Sequence, residues 1–245
     1  DAAQYLTEVV CAMKIRIKFS KHGVMKFIGH LDIMRYFQKA MRRAGIDIAY
    51  TGGFSPHQIM SFAAPLGVGM ESDGEYMDIE VNSHQGGSFI RDALNDVMAD
   101  GIRVLSVRVL PEHAGNAMAS VAAAGYQMRF REGLRPPFLD EDLLRRFREK
   151  ESIPFVKQTR KKESILDLKP SIHELKLEGD TVSMLVDAGS SVNIKPSMVM
   201  EALYREHGET MPEFALLVTR TELYMNAGTD QEKHFVPLRD AGEEF

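Results

Sequence analysis

The chain has 245 residues, of which 44% are hydrophobic and 27% charged, with a formal net charge of −5. That length holds one large domain or two small ones with a real core, and the acidic total excludes a chain that grips nucleic acid by its overall charge. The single cysteine, Cys11, excludes an intrachain disulfide, a four-cysteine zinc site and an iron–sulfur cluster held by three cysteines of this chain.

One thiol in a Met-rich chain fits a reducing cytoplasm, and no apolar run reaches the length of a membrane span. Residues 1–12 lack the basic start and apolar stretch of a signal peptide. They precede a strand that opens at Met13, a natural start, so they are expected to be an extension outside the fold, and Cys11 receives no role.

Ile15, Ile17 and Phe19 alternate with Arg16, Lys18 and Ser20, which predicts a half-buried strand. His22-Gly23 turns the chain. Leu31, Met34, Phe37, Met41 and Ala44 recur at three- and four-residue steps and predict a helix over 31–44 with these residues inward. Asp32 suits its first turn and Gly45 its end. A strand is expected over 46–50, a turn-rich loop over 51–57, and a resumed strand over 59–63. An alternating strand follows over 75–81. A helix over 88–98 has Phe89, Leu94 and Val97 inward, and a long strand runs over 102–110.

The order β-α-β-β-α-β predicts an α+β fold with a ferredoxin-like first half. Residues 112–124 are a small-residue connection. Beyond them a second, degenerate α+β half is expected, with strands over 126–130 and 155–158, a helix over 140–150, a hairpin over 172–186, a helix over 196–204 and a strand over 216–225. The tail after Asn226 is polar and expected to be loose. The domain reading is therefore 1–12 extension, 13–111 first domain, 112–124 connection and 125–245 second domain.

Between Met13 and Met60 lie nine cations, Lys14, Arg16, Lys18, Lys21, Lys26, Arg35, Lys39, Arg42 and Arg43, against two acids, Asp32 and Asp47. Such a concentration in an acidic chain is the pattern of a polyanion-binding surface, and equally that of a solvated helix face and strand edge. A second basic run, Lys157, Arg160, Lys161 and Lys162, falls in a loop. His30 beside Asp32, and His57 in Gly53-Phe54-Ser55-Pro56-His57, are the acid–base candidates. Residues one or two apart do not face each other on a helix, so a capping or core role for His30 competes with chemistry. Gly67-Val68-Gly69 lacks the third glycine of a dinucleotide site, and Ser55 lacks a nucleophile elbow. Phe54 can stack on a base.

Several segments together carry a resemblance: Phe27-Ile28-Gly29-His30-Leu31-Asp32-Ile33-Met34-Arg35, Ala40-Met41-Arg42-Arg43-Ala44-Gly45, Gly53-Phe54-Ser55-Pro56-His57, Ser61-Phe62-Ala63-Ala64-Pro65-Leu66-Gly67-Val68-Gly69 and Glu71-Ser72-Asp73-Gly74-Glu75-Tyr76. The chain resembles the bacterial radical-SAM-linked domain of unknown function. With no Cys-x-x-x-Cys-x-x-Cys segment, it resembles the stand-alone form. The resemblance implies a separate partner, a radical SAM enzyme, which holds the iron–sulfur cluster and uses S-adenosylmethionine, while this chain holds no cofactor. The expected role is an accessory binding module that presents Lys18, Lys21, Lys26, Arg35, Lys39, Arg42 and Arg43 to RNA or to the partner, with Phe54, Ser55 and His57 at the rim. The alternatives are an RNA-processing or RNA-modifying enzyme using His30 and His57, and a purely structural docking domain with an exposed apolar patch.

Overall fold

The computed structural model describes residues 12–83, 85–158 and 163–245. Strand β1 (Met13–Lys21) is the predicted alternating strand. It leads through a tight helical turn, Gly23–Phe27, into α1 (His30–Arg43), whose buried residues are Ile33, Phe37, Ala40 and Met41. Gly45, at φ 65°, closes the helix: its N–H reaches Arg42 O at 3.3 Å and the Ile46 N–H reaches Met41 O at 3.0 Å. That pair satisfies two carbonyls the helix end would otherwise leave open.

The expected strand over 46–50 does not form. Ile48 and Tyr50 make isolated bridges to Val81 and Gln58, because the segment crosses the ends of its neighbours and pairs one residue at a time. Strand β2 (Met60–Phe62) is short, β3 (Glu71–Val81) is long, and α2 (Gly87–Asn95) and β4 (Ile102–Val109) complete the first half. On α2 the buried residues are Ile90 and Leu94, whereas Phe89 is exposed, a correction to its inward assignment. A one-turn helix, α3 (Ala117–Ser120), lies in the connection, and β5 (Ala123–Phe130) begins inside it. Then come α4 (Glu141–Glu149), β6 (Pro154–Gln158), β7 (Glu163–Asp167), β8 (Ile172–Glu178), β9 (Thr181–Asp187), α5 (Pro196–Glu206), β10 (Leu216–Asn226) and β11 (Phe235–Pro237). The sequence reading missed β7, which pairs with β6 in a separate two-stranded sheet.

The main sheet has nine strands, ordered β4-β1-β3-β10-β5-β9-β8, with β2 on β3 and β11 on β10. The fold is α+β, as predicted. Counting β1 to β4 in the first half, and β5, β8, β9 and β10 in the second with the β6–β7 hairpin inserted after α4, each half runs β-α-β-β-α-β, and in each the fourth of these strands lies beside the first, then the third, then the second, all antiparallel. The halves join where β10 pairs in parallel with β3, Thr219 beside Glu71 and Arg220 beside Ser72. Gly74 makes that approach possible, because a β-carbon there would sit 2.7 Å from the Cα of Glu222.

Two hydrophobic clusters serve one sheet. In the first, Ile15, Ile17, Phe19, Met77 and Ile79 pack against Phe37 and Met41 of α1 and Ile90 and Leu94 of α2. The second centres on α4 and α5 with β5, β8 and β9, and it takes in Ala63 and Tyr76 from the first half. The tail is not loose. Leu238 is fully buried, β11 pairs with the end of β10, and Glu243 bridges to Val109.

That tail covers the face of β1 and β3 opposite α1 and α2. The charged residues of the alternation therefore lie in the interior: Arg16 is 2% exposed and Asp78 3%. Arg16 holds Asp78 through Nε at 2.8 Å and Nη2 at 3.0 Å, and its Nη1 donates to Leu238 O at 3.1 Å. Removing one partner of such a pair strands a buried charge and costs about 3–5 kcal/mol, while an apolar pair of similar volume is near neutral. Asp78→Ala is expected to destabilise by that amount, and Arg16→Met with Asp78→Leu to recover most of it, as read by urea denaturation.

Candidate functional site

The predicted basic residues divide between interior and surface. Lys18 is buried and donates to Glu222 Oε2 at 2.6 Å, while the Tyr76 hydroxyl donates to Glu222 Oε1 at 2.6 Å. Burial, reinforced by the Glu222 charge, pushes the Tyr76 phenol far above its ordinary range. Lys21 is 3% exposed. Burial lowers its pKa, with Glu75 opposing and Arg220 reinforcing the shift. Neither Lys18 nor Lys21 can present charge to a polyanion, which corrects their place in the expected contact set. The alternation marked a solvated strand face, but β1 and β3 are covered on both faces.

Lys26 is tied to Glu71 at 3.1 Å, and Glu71 also accepts from the Gly23 N–H at 3.2 Å and faces His22 Nδ1 at 3.4 Å. Partial burial pushes the Glu71 carboxyl up, but the bonds from Lys26, His22 and Gly23 together bring it below its usual value.

On α1, Arg35, Lys39, Arg42 and Arg43 are all exposed. Arg35 reaches Asp32 at 3.2 Å one turn away, Arg42 Nε donates to Gln38 O at 3.2 Å, and Arg43 Nη2 donates to Val97 O at 3.1 Å over the Tyr36 ring. Surface pairs of this kind leave the cations free to exchange partners. The 50–58 loop lies against the middle of the same helix, because Gln58 Nε2 donates to Gln38 O at 3.3 Å and lies 3.4 Å from the Tyr50 hydroxyl. Phe54 at its tip is wholly exposed, and Ser55 and His57 are exposed. The helix and the loop at its rim thus form one surface.

His30, Asp32 and His57 do not come together. His30 packs edge-on to Phe62 with ring centroids 5.2 Å apart, Asp32 binds Arg35, and His57 Nδ1 lies 3.0 Å from Thr51 Oγ1. Among the described residues no hydrogen bond or ion pair links any two of the three. Lys157 is exposed on β6, in the hairpin beside α5. Arg160, Lys161 and Lys162 lie outside the described residues. Among those residues no group of three or more His, Cys, Asp and Glu is placed to hold a metal ion, and no helix is long and apolar enough to cross a membrane.

The sequence reading missed the apolar part of this surface. Val24, Phe27 and Leu31 are 77%, 64% and 60% exposed, and Val68 is 63% exposed beside them, since the Gly69 N–H binds Lys26 O at 2.8 Å. Leu31 was expected inward. It shares the first turn of α1 with the buried Ile33 but points to the opposite side of the helix, the side that carries Arg35 and Arg42, and so faces solvent. Val24 and Phe27 lie in the turn before α1 and Leu31 in α1 itself, with the extended Ile28 and Gly29 between, so no single helical period marks the three, and Leu31 shares its side of α1 with Arg35 and Arg42.

A family model described as an uncharacterized protein conserved in bacteria (DUF2344) matches residues 14–196. No curated protein matches the chain.

Lys21 gives this reading a pH signature. Its folded pKa lies below the unfolded value, so the unfolded state binds the extra proton between the two, and this group adds stability as pH rises through that window. The parent chain is expected to gain stability relative to Lys21→Met as pH climbs from neutrality towards 10, measured by urea denaturation across that range. A pH-independent difference would place Lys21 in solvent.

Proposed function

We propose a binding role for this chain, which belongs to the DUF2344 family of uncharacterized proteins conserved in bacteria. It acts as an accessory module for a separate radical SAM enzyme, and its α1 face and 50–58 loop take up RNA. The enzyme's cluster and S-adenosylmethionine belong to that partner.

One observation carries the RNA reading: four cations, Arg35, Lys39, Arg42 and Arg43, stand exposed on one helix, with the fully exposed Phe54 on the loop tied to it. Cations track a phosphate backbone and release its counterions, and an exposed aromatic stacks on an unpaired base. The chain's acidic total does not oppose this, because the acids adjoining the basic segment are spent on Lys18, Lys26 and Arg16 in the interior or at its edge. The partner rests on the resemblance carried by the 27–35, 40–45, 53–57, 61–69 and 71–76 segments.

A second reading has an observation of its own. Val24, Phe27, Leu31 and Val68 make an exposed apolar cluster at the other end of α1, and such patches mark protein docking. Both readings fit one module if the apolar end docks the enzyme and the basic end faces RNA.

Single-stranded RNA is expected to bind with a steep salt dependence, and Arg42→Glu with Arg43→Glu to weaken it by about tenfold or more while flattening the salt slope. Phe27→Ser with Leu31→Ser is expected to leave RNA binding intact and to abolish co-purification of an iron–sulfur protein. Fluorescence anisotropy across a salt series, with thermal unfolding as the folding control, decides the first. Unchanged affinity after the charge reversal would remove the RNA reading.

A further inference from the structure

The most telling unassigned feature lies between the halves. A cleft of about 470 Å³ is bounded by the loop that follows β2, by α3, and by the turn from β9 into α5. Arg220 and Tyr126 face into it from the sheet, and Lys195 stands at its edge. No carboxylate lines it among the described residues; of its two cations, Arg220 is held from beneath by Glu75 and Lys195 makes no ion pair.

Four observations point to an anion. Arg220 is 3% exposed, its Nη2 reaches Glu75 and Ala64 O, its Nε has no hydrogen-bond partner, and the same guanidinium acts on the Tyr126 phenol beside it, opposing the rise that burial imposes there. A buried guanidinium with an open donor is costly unless something takes it. Lys21 is a second buried cation close enough to feel the charges of both Glu75 and Arg220, so positive charge is concentrated beneath the cleft. The α5 N-terminus opens at the cleft, with Lys195 as its cap residue, Pro196 at its first turn and no side-chain cap bond. The positive end of an eleven-residue helix is thus left for a ligand. Lys195 is exposed and makes no ion pair among the described residues.

The rest of the wall sets the shape of the guest. Ala63, Ala64, Leu66, Met70, Met118 and Val121 are apolar, and the small residues among them leave room for a ring or short chain. A bare inorganic ion would leave that wall unused.

We infer that this cleft binds a small organic phosphate, its oxyanion held by Arg220, Lys195 and the α5 N-terminus and its apolar body lying on Met70 and Met118. The site stands apart from the α1 surface and does not depend on the RNA reading.

Phenyl phosphate is the probe, with benzyl alcohol as its neutral counterpart, inorganic phosphate as the head alone and benzoate as the carboxylate, each titrated into the full chain by calorimetry. Phenyl phosphate is expected to bind saturably, at least about tenfold more tightly than the other three. Lys195→Glu and Met118→Glu, both at exposed positions, are expected to weaken it by about tenfold or more without lowering the melting temperature. Arg220→Lys keeps the charge beside Glu75 but loses the planar fork, and is expected to weaken binding similarly. If that variant does not fold, the two exposed variants decide. No saturable binding of phenyl phosphate, or unchanged binding in Lys195→Glu, overturns the site. Equal binding of inorganic phosphate overturns the apolar half of it, and tighter binding of benzoate overturns the choice of phosphate.

Discussion

Along the middle of the sheet, on the face away from α1 and α2, runs a row of charges almost wholly withdrawn from water. Arg16 meets Asp78, Lys18 meets Glu222, Tyr76 donates to the same Glu222, and Arg220 meets Glu75. Each charge would be prohibitive alone and is tolerable only with its partner in place. Arg16, Lys18, Glu75, Tyr76 and Asp78 come from β1 and β3 in the first half, Glu222 and Arg220 from β10 at the end of the second. The halves are thereby held in register by charge: a shift of β10 against β3 by one residue would separate Lys18 from Glu222 and Arg220 from Glu75 together. The tail belongs to the same constraint, since Leu238 gives its carbonyl to Arg16 and closes the face.

This row explains where sequence reading succeeded and where it stopped. The alternation of Ile15, Ile17 and Phe19 with Arg16, Lys18 and Ser20 gave the strand and its helix-facing side correctly, because period two is a local property. It could not say what covered the other side. Asp78 is 62 residues from Arg16, and Glu222 is 204 from Lys18, so nothing near β1 announced a partner, and the lysines read as surface. The same blindness made the tail look loose: residues 227–234 are polar, and the short apolar stretch that follows is too brief to carry a period. Helices were the most legible elements, since α1 and α4 carry their stripe and cap signals within a few turns, with Asp140 accepting from the Leu143 N–H as an N-cap. The 46–50 strand failed for the opposite reason. Ile46, Ile48 and Ala49 are buried as their type demands, yet burial does not require a ladder.

For the surface, the exposed cations of α1 were legible because a helix displays them at fixed spacing. Their union with Phe54 was not, because it depends on Gln58 reaching the Gln38 carbonyl. Leu31 shows the limit of a periodic argument: successive three-residue steps drift off a 3.6-residue period, and back at Leu31 they have turned from the face of Phe37 and Met41 to that of Arg35 and Arg42.

The cleft at Arg220 follows from the row of charges rather than standing beside it. Its walls come from segments near 63–70, 118–126, 188–196 and 220, which no local pattern connects, and its chemistry is what pairing leaves over. Along the sheet each of these buried cations has a carboxylate in reach, and Asp78 serves both Arg16 and, at 3.9 Å, Lys14. At the β3–β10 junction Arg220 holds Glu75 and still leaves its Nε without a partner, while burial lowers the proton affinity of Lys21 close by. An oxyanion in the cleft would answer that open donor and stabilise the folded chain by mass action. The place where the two halves are stitched is therefore also the place where the fold is least complete by itself.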